Sequence, residues 1–395
     1  MIQINVGKTI RKIRKEKNLT QEDLASMADL DRTYIAGVEV GTRNISIRNL
    51  EKIMEALNIS FSVFFKESEV DMNKYCLGTI EASEQLIKDL YISLRHEINE
   101  WSKITCQTPQ ARMGYIGQHL VSVVTGYPGG KSGARGYDLI MGNDEYGEIK
   151  TCYRVDQLGE CADCGAVVSS LEKECSVCKS QNIIRKDDSK WLIGIRHEQE
   201  FSEILDPKRY YFVLFEFEDI NDINNDNIVA SIWEVDPKTR GFALCMIDYY
   251  LNIREKSKSK APFNMWPHSL KFALTNPKLI YKSIIKGDGT IDTVVFPTKN
   301  NEYVDNLLSL PSYSSATTLT VNCLCDAIKQ VSPDYKIKKN KKQLLLSFEE
   351  IRKDKGISNP VLCDLLANAI YLPTIKDKTD KLPPRLLEYY NNLKV

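Results

Sequence analysis

Residues 136–156 read GYDLIMGNDEYGEIKTCYRVD. Two apolar runs flank the polar tip Asn143-Asp-Glu-Tyr-Gly147, the pattern of a tight hairpin between two strands. The first strand carries Asp138, the second Glu148 and Lys150. Half-burying three charged groups on a small sheet is costly unless they have a task. Glu148 and Lys150 are two apart and so share a face of their strand. A turn around Asp144 to Tyr146 brings Asp138 to the open end beside them.

Two carboxylates and an ammonium on one spot form the set needed to hydrolyse a phosphodiester. The carboxylates hold Mg²⁺, which neutralises developing charge and activates a water, while the lysine steers that water. Asp138 followed after nine residues by Glu148-Ile-Lys150 resembles the PD-(D/E)XK nuclease core, over residues 109–305. The spacing alone is weak, since an acidic residue two before a lysine recurs at Asp188, Asp206, Asp236 and Asp334. In the Asp206 and Asp236 cases a proline stands between them, which suits no strand interior. Many members of that family carry a glutamate on the preceding helix. Here Gly117-Gln118 stands there, so Gln118 is a candidate site residue that departs from the pattern.

"CADCGAVVSSLEKECSVC" places Cys161, Cys164, Cys175 and Cys178 as two C-x2-C pairs ten residues apart, a strong zinc signature. A closed Cys₄ site leaves no open position, so the expected Zn²⁺ is structural. Residues 158–182 are then a zinc-knuckle insertion beside the cleft. His96-Glu97 and His197-Glu198 lack the second histidine of a zinc peptidase. No glycine-rich cofactor loop follows a strand, and no amino-methyltransferase segment is found.

The chain has 395 residues, 43% hydrophobic and 27% charged, room for several domains. Lys plus Arg and Asp plus Glu are both 53, so any nucleic-acid surface is a local patch. No apolar run approaches membrane-spanning length and Met1 opens no signal peptide. A cytoplasmic, nucleoid-associated protein without a membrane partner is expected, and eleven cysteines in a reducing compartment favour metal over disulfides.

The first sixty-odd residues read as four or five short helices. Ile10 and Ile13 share a face, Thr20 is an N-cap with Asp23 three residues on, and Gly41 is a C-cap. Tyr34, Ile35 and Val38 form one apolar face, and Ile47, Leu50, Ile53, Met54 and Leu57 fall at helical spacing. The stretch "LTQEDLASMADLDRTYIAGVEVGTRNISIRNLEKIMEAL" resembles the helix-turn-helix of lambda-repressor-like regulators, including controllers of restriction-modification systems. The resemblance implies that the helix from Arg32 to Val40 enters the DNA major groove. It places Gln21, Arg32, Thr33, Tyr34 and Arg43 at DNA, and Glu39 in a structural role. Double-stranded DNA is the implied partner.

The expected organisation is α+β: an all-α helix-turn-helix domain at 1–66 and a linker and helix at 67–108. The mixed-sheet nuclease core occupies 109–305 and a mainly helical region 306–395. Lys66 to Asn73 reads as linker, and Leu86, Leu90, Leu94 and Ile98 as one face of a helix. A glycine-rich loop precedes the hairpin, and the lysines from Lys336 to Lys342 read as solvated surface. "RYYFVLFEF" reads as buried strand. The two resemblances together imply a type II restriction endonuclease acting as a homodimer, with protective methylation from a separate methyltransferase. Competing readings are a non-catalytic transcriptional regulator with a degenerate nuclease-like domain, and a structure-selective repair nuclease.

Overall fold

The computed structural model describes residues 2–65, 76–105, 114–130, 137–169, 172–259, 261–298, 304–305, 309–336 and 340–393. The linker expected at Lys66 to Asn73, Gly133 and Gly136 of the glycine-rich loop, and residues 337–339 of the lysine strip lie outside them. The chain divides into two compact units, Met1–Gln85 and Leu86–Val395.

The first unit is helical: α1 (Ile2–Glu16), α2 (Gln21–Met27), α3 (Arg32–Val40) and α4 (Ile47–Ala56). Thr20 and Asp23 cap α2 reciprocally, and Asp31 caps α3 through the Thr33 N–H. Gly41 ends α3 at φ 79°, a left-handed cap. Ile10, Ile13, Leu24, Ile35, Val38, Leu50, Ile53, Met54, Leu57 and Phe64 form the core. At Gly7 a Cβ would stand 2.0 Å from the Val38 carbonyl oxygen, so α1 and α3 touch backbone to side. Ile47, at helical spacing with the core residues, is nevertheless 84% exposed at the first position of α4, while Leu50 three residues on is buried.

The next helix changes pitch and carries the chain from the first unit into the second, which begins at Leu86. Ile80–Leu86 runs into a π-helical stretch, Ile87–Ile92, and on into Ser93–Thr105. The widened turn rotates the buried face. Ala82, Ser83, Ile87 and Tyr91 go inside, while Leu90 and Leu94, expected in register with the core, are exposed.

A mixed sheet follows, with β1 (Leu139–Gly142), β2 (Glu145–Tyr153), β7 (Arg209–Phe217), β8 (Ile228–Val235), β10 (Lys278–Ile285) and β11 (Ile291–Val295) in that spatial order; β12 (Val304–Asp305) also pairs with β10. Among the described residues only β2 and β7 of this sheet run parallel. Parallel central strands are covered on both faces, which is why β7 reads as an unbroken apolar run and is buried from Tyr210 to Phe215. The turn between β1 and β2 is tighter than the sequence implied. Asn143 and Asp144 hold φ 52° and 60°, a two-residue turn whose positive φ values suit these residue types.

The cysteine segment forms its own three-stranded sheet, with β3 (Leu158–Cys161) between β4 (Val167–Ser169) and β5 (Ile183–Ile184). A two-stranded ribbon joins β6 (Trp191–Ile193) to β9 (Phe263–Met265). The C-terminal helices Val321–Val331, Lys341–Asp354, Asn359–Ile375 and Pro384–Asn392 share the sheet's core: Leu324, Phe348 and Leu366 belong to one apolar cluster with Phe212, Leu214 and Phe242. The chain is therefore α+β, a helical N-terminal unit followed by a mixed sheet and a helical C-terminal region.

Candidate active site

Asp138 stands one residue before β1, not on it, opposite Glu148 by the hairpin register Leu139↔Gly147. Its Oδ2 accepts the backbone N–H of Ile149 at 2.8 Å and its Oδ1 the amide of Gln118 at 2.9 Å. Burial, reinforced by the charge of Glu148, raises the Asp138 pKa; the Ile149 N–H, Lys150 and Gln118 oppose the shift. Glu148 and Lys150 project from the same face of β2, with Lys150 Nζ 2.5 Å from Glu148 Oε1.

Gln118 reaches Asp138 because its helix, Gly114–Thr125, lies directly on β2. The contact is made at Gly117, where a Cβ would fall 2.1 Å from Thr151 Oγ1. A glycine here sets how near the helix can come. The departure from a helix glutamate is thus one of charge: an amide stands beside the Asp138 carboxylate.

Glu148 and Lys150 line an open pocket of about 490 Å³. Tyr146 of the hairpin shares it with Arg196, Glu200 and Glu203, which the sequence reading did not place at the site. The stretch "IRHEQEFSE" is dense in charge, but its His197-Glu198 pair reads only as lacking the second histidine of a zinc peptidase. His197 has a local task there, capping the helix Glu198–Ser202 through the Glu200 N–H at 3.3 Å. Burial first, then the nearby Asp206, Tyr137, Glu148 and Glu203, push the Tyr146 hydroxyl up to about 12.

The four thiols of Cys161, Cys164, Cys175 and Cys178 lie within 4.8 Å of one another. Two pairs are at 3.5 and 3.6 Å, near the edge of about 3.8 Å that a sulfur tetrahedron has around zinc at 2.3 Å. The donor set and its spacing fit that metal. Arg154 binds Asp187 at 3.2 Å and Arg185 lies over the Phe217 ring at 4.2 Å, tying the root of the module to the main sheet.

In the helical unit, Glu39 is buried and takes the Arg14 guanidinium on both oxygens at 2.6 and 2.9 Å. Gln21 donates to the same carboxylate at 2.8 Å. Arg32, Thr33 and Arg43 are exposed, Arg32 paired with Glu22 at 3.4 Å and Arg43 over the Tyr34 ring at 6.0 Å. Tyr34 is half-buried and donates to the Asn44 carbonyl at 3.3 Å.

Residues 100–310, more than half of the chain, match the family model described as MamI restriction endonuclease. The chain belongs to the MamI restriction endonuclease family. Residues 10–64 of this endonuclease match a helix-turn-helix family. Over its N-terminal domain it is 48% identical to control protein C.MunI of Mycoplasma, across 17% of this chain and 93% of that one. It is 49% identical to control protein C.BamHI of Bacillus amyloliquefaciens, across 15% and 73%. A crystal structure of the restriction-modification controller C.Esp1396I, a tetramer in complex with its 35-base-pair operator, is 46% identical over 18% of this chain and 95% of that one, with a TM-score of 0.18. The endonuclease thus joins a restriction enzyme domain to a controller-type, DNA-binding helix-turn-helix.

Proposed function

We propose that the endonuclease is a type II enzyme that cuts both strands of DNA at specific sites, using Mg²⁺ held by Asp138 and Glu148. The observation that carries this reading is the convergence of Asp138 with Glu148 and Lys150, which line one pocket, inside the family domain. Both carboxylates are hard oxygen donors, and each Asp138 oxygen takes a single N–H, which leaves a lone pair free for an ion. A bound Mg²⁺ would neutralise charge developing on the phosphate and lower the pKa of a water. Two protein carboxylates suit an ion that keeps several waters.

The chain's own groups do the rest. Lys150 orients the attacking water and donates to the phosphate oxygens on which charge grows, while Glu148 fixes the ammonium. Gln118 holds the Asp138 carboxylate in place without adding a third negative charge. Zn²⁺ at the four cysteines is structural, because four thiolates fill its coordination.

One such site per chain cuts one strand, so a homodimer makes the double-strand break. The similarity of the N-terminal domain to control proteins favours the operon's own promoter as its DNA. Arg32, Thr33, Tyr34 and Arg43 would contact that operator, and Gln21 the backbone beside it. Protection of the host genome falls to a separate methyltransferase. Among the described residues no helix is long and apolar enough to cross a membrane, and we place the protein in the cytoplasm at the nucleoid.

The test is digestion of a long duplex by the full chain with Mg²⁺ beside Glu148→Ala. Discrete fragments that vanish in the variant support the reading. Specific DNA binding with no cleavage under Mg²⁺ or Mn²⁺ would refute it and leave a regulator.

A further inference from the structure

The β6–β9 ribbon is two-faced. Trp191, Ile193, Phe263 and Met265 point inward and are at most 2% exposed. On the outer face Leu192 pairs directly with Asn264, and one step along Lys190 lies over the Trp266 ring at 4.6 Å. Leu192 is 50% exposed and Trp266 39%, and among the described residues nothing engages the Asn264 amide. Asparagine is a poor strand former, so its place in the middle of β9 opposes local preference. Two large apolar side chains left in water beside it add to that cost.

The ribbon is also held rigidly and in a telling place. Trp191 donates to the Val213 carbonyl on β7 at 2.8 Å and packs against both Phe212 and Phe272, at 5.0 and 4.8 Å between ring centres. Leu192, and Pro262 just before β9, line the same pocket as Glu148 and Lys150. The approach to β9 carries exposed Lys256 and Lys258, while Glu255 between Arg254 and Lys256 is neutralised by Lys381 at 2.8 Å.

Resting on the reading of Glu148 and Lys150 as the cleavage centre, we propose that the outer face of the β6–β9 ribbon reads the bases of the cut site in the major groove. A two-stranded ribbon fits that groove, roughly 12 Å wide. Asn264 supplies the donor and acceptor pair that matches adenine, Leu192 an apolar contact for a thymine methyl, and Lys190 a donor for guanine. Lys256 and Lys258 contact the phosphates alongside and set affinity without sequence preference.

The experiment digests a randomised duplex library with the full chain and sequences the ends. Wild type, Glu148→Ala, Asn264→Ala, Leu192→Ala, Lys256→Ala/Lys258→Ala and Arg32→Ala/Thr33→Ala are compared, with a thermal melt of each. Asn264→Ala is expected to relax discrimination at one base-pair position by about 5- to 150-fold, the range of one bidentate contact. The double lysine variant keeps the wild-type profile, weakens binding to all sequences, and lowers the salt slope by about two. An unchanged profile in both Asn264→Ala and Leu192→Ala would overturn the proposal, even with a uniform loss of rate, which would assign the face to a protein partner or to the DNA backbone. Relaxation caused instead by Arg32→Ala/Thr33→Ala would also overturn it, giving recognition to the N-terminal domain. If the wild type cuts nothing, the cleavage reading falls together with this one; if it cuts and only Glu148→Ala is silent, the ribbon variants judge the ribbon alone.

Discussion

Replacing Gly117 by alanine should cost the endonuclease both stability and rate, through a single contact. The added methyl would meet Thr151 Oγ1 at 2.1 Å and Cγ2 at 2.7 Å. Rotating Thr151 does not help, since its Cβ is already at 3.0 Å and its hydroxyl donates to the Gly114 carbonyl at 3.4 Å. A relaxed carbon contact needs about 3.5 Å, so the helix Gly114–Thr125 must back away from β2 by roughly 1 Å. Overpacking of this kind costs about 1–3 kcal/mol. The same displacement lifts Gln118 off Asp138, and a misplacement of about 1 Å at a reacting centre lowers the rate about 100-fold. Thermal melts and single-turnover cleavage read the two effects. Thr151→Ala in the same chain removes two of the three close atoms and should restore much of both. A Gly117→Ala protein that melts and cuts like wild type would refute the close-approach argument.

Three further outcomes follow from named groups. The Asp138 pKa is raised in the fold, so its ionisation opposes folding, and that loss of stability enters as pH rises from the unfolded carboxylate range through the folded value. Without added Mg²⁺, Asp138→Asn should therefore raise the melting temperature at pH 7 to 8 and leave it unchanged near pH 3; a lowered melting temperature at neutral pH counts against a desolvated carboxylate. Glu39→Ala leaves the Arg14 guanidinium, 8% exposed, without its partner and should destabilise the helical unit by about 3–5 kcal/mol, seen as an early unfolding transition. Cys175→Ser/Cys178→Ser should release one zinc per chain by elemental analysis; full retention would rule out the four-thiolate site.

The features legible in the sequence are those set by near neighbours. Thr20 with Asp23, Gly41 after Val40 and the two cysteine pairs each act over a few residues, and each is where the spacing put it. The strand period likewise places Glu148 and Lys150 on one face. Leu90 and Leu94 were misread because a π turn shifts the register, and no residue in Ile87–Ile92 announces it. Ile47 follows the helical period yet is exposed at the first position of α4. The company of Glu200 and Glu203 with Glu148 depends on the parallel pairing of β2 with β7, a long-range choice that neither segment encodes alone. Of the ribbon, "KWLIGIRHE" reads as a strand and contains β6, whereas the three residues of β9 are too few for any period to show.

The cysteine module occupies the chain between β2 and β6, two strands that both border the pocket. Residues 154–190 are thus a loop whose ends must meet whether or not a metal folds its middle. Closure entropy rises only with the logarithm of length, about 0.6 kcal/mol for each doubling. Shortening this excursion by half would therefore change the joining of its ends by less than one surface hydrogen bond. So far as closure goes, the length of this excursion is free to vary, while the Arg154–Asp187 pair, the Lys173–Asp226 pair and Arg185 over the Phe217 ring are the contacts that a shorter version must keep.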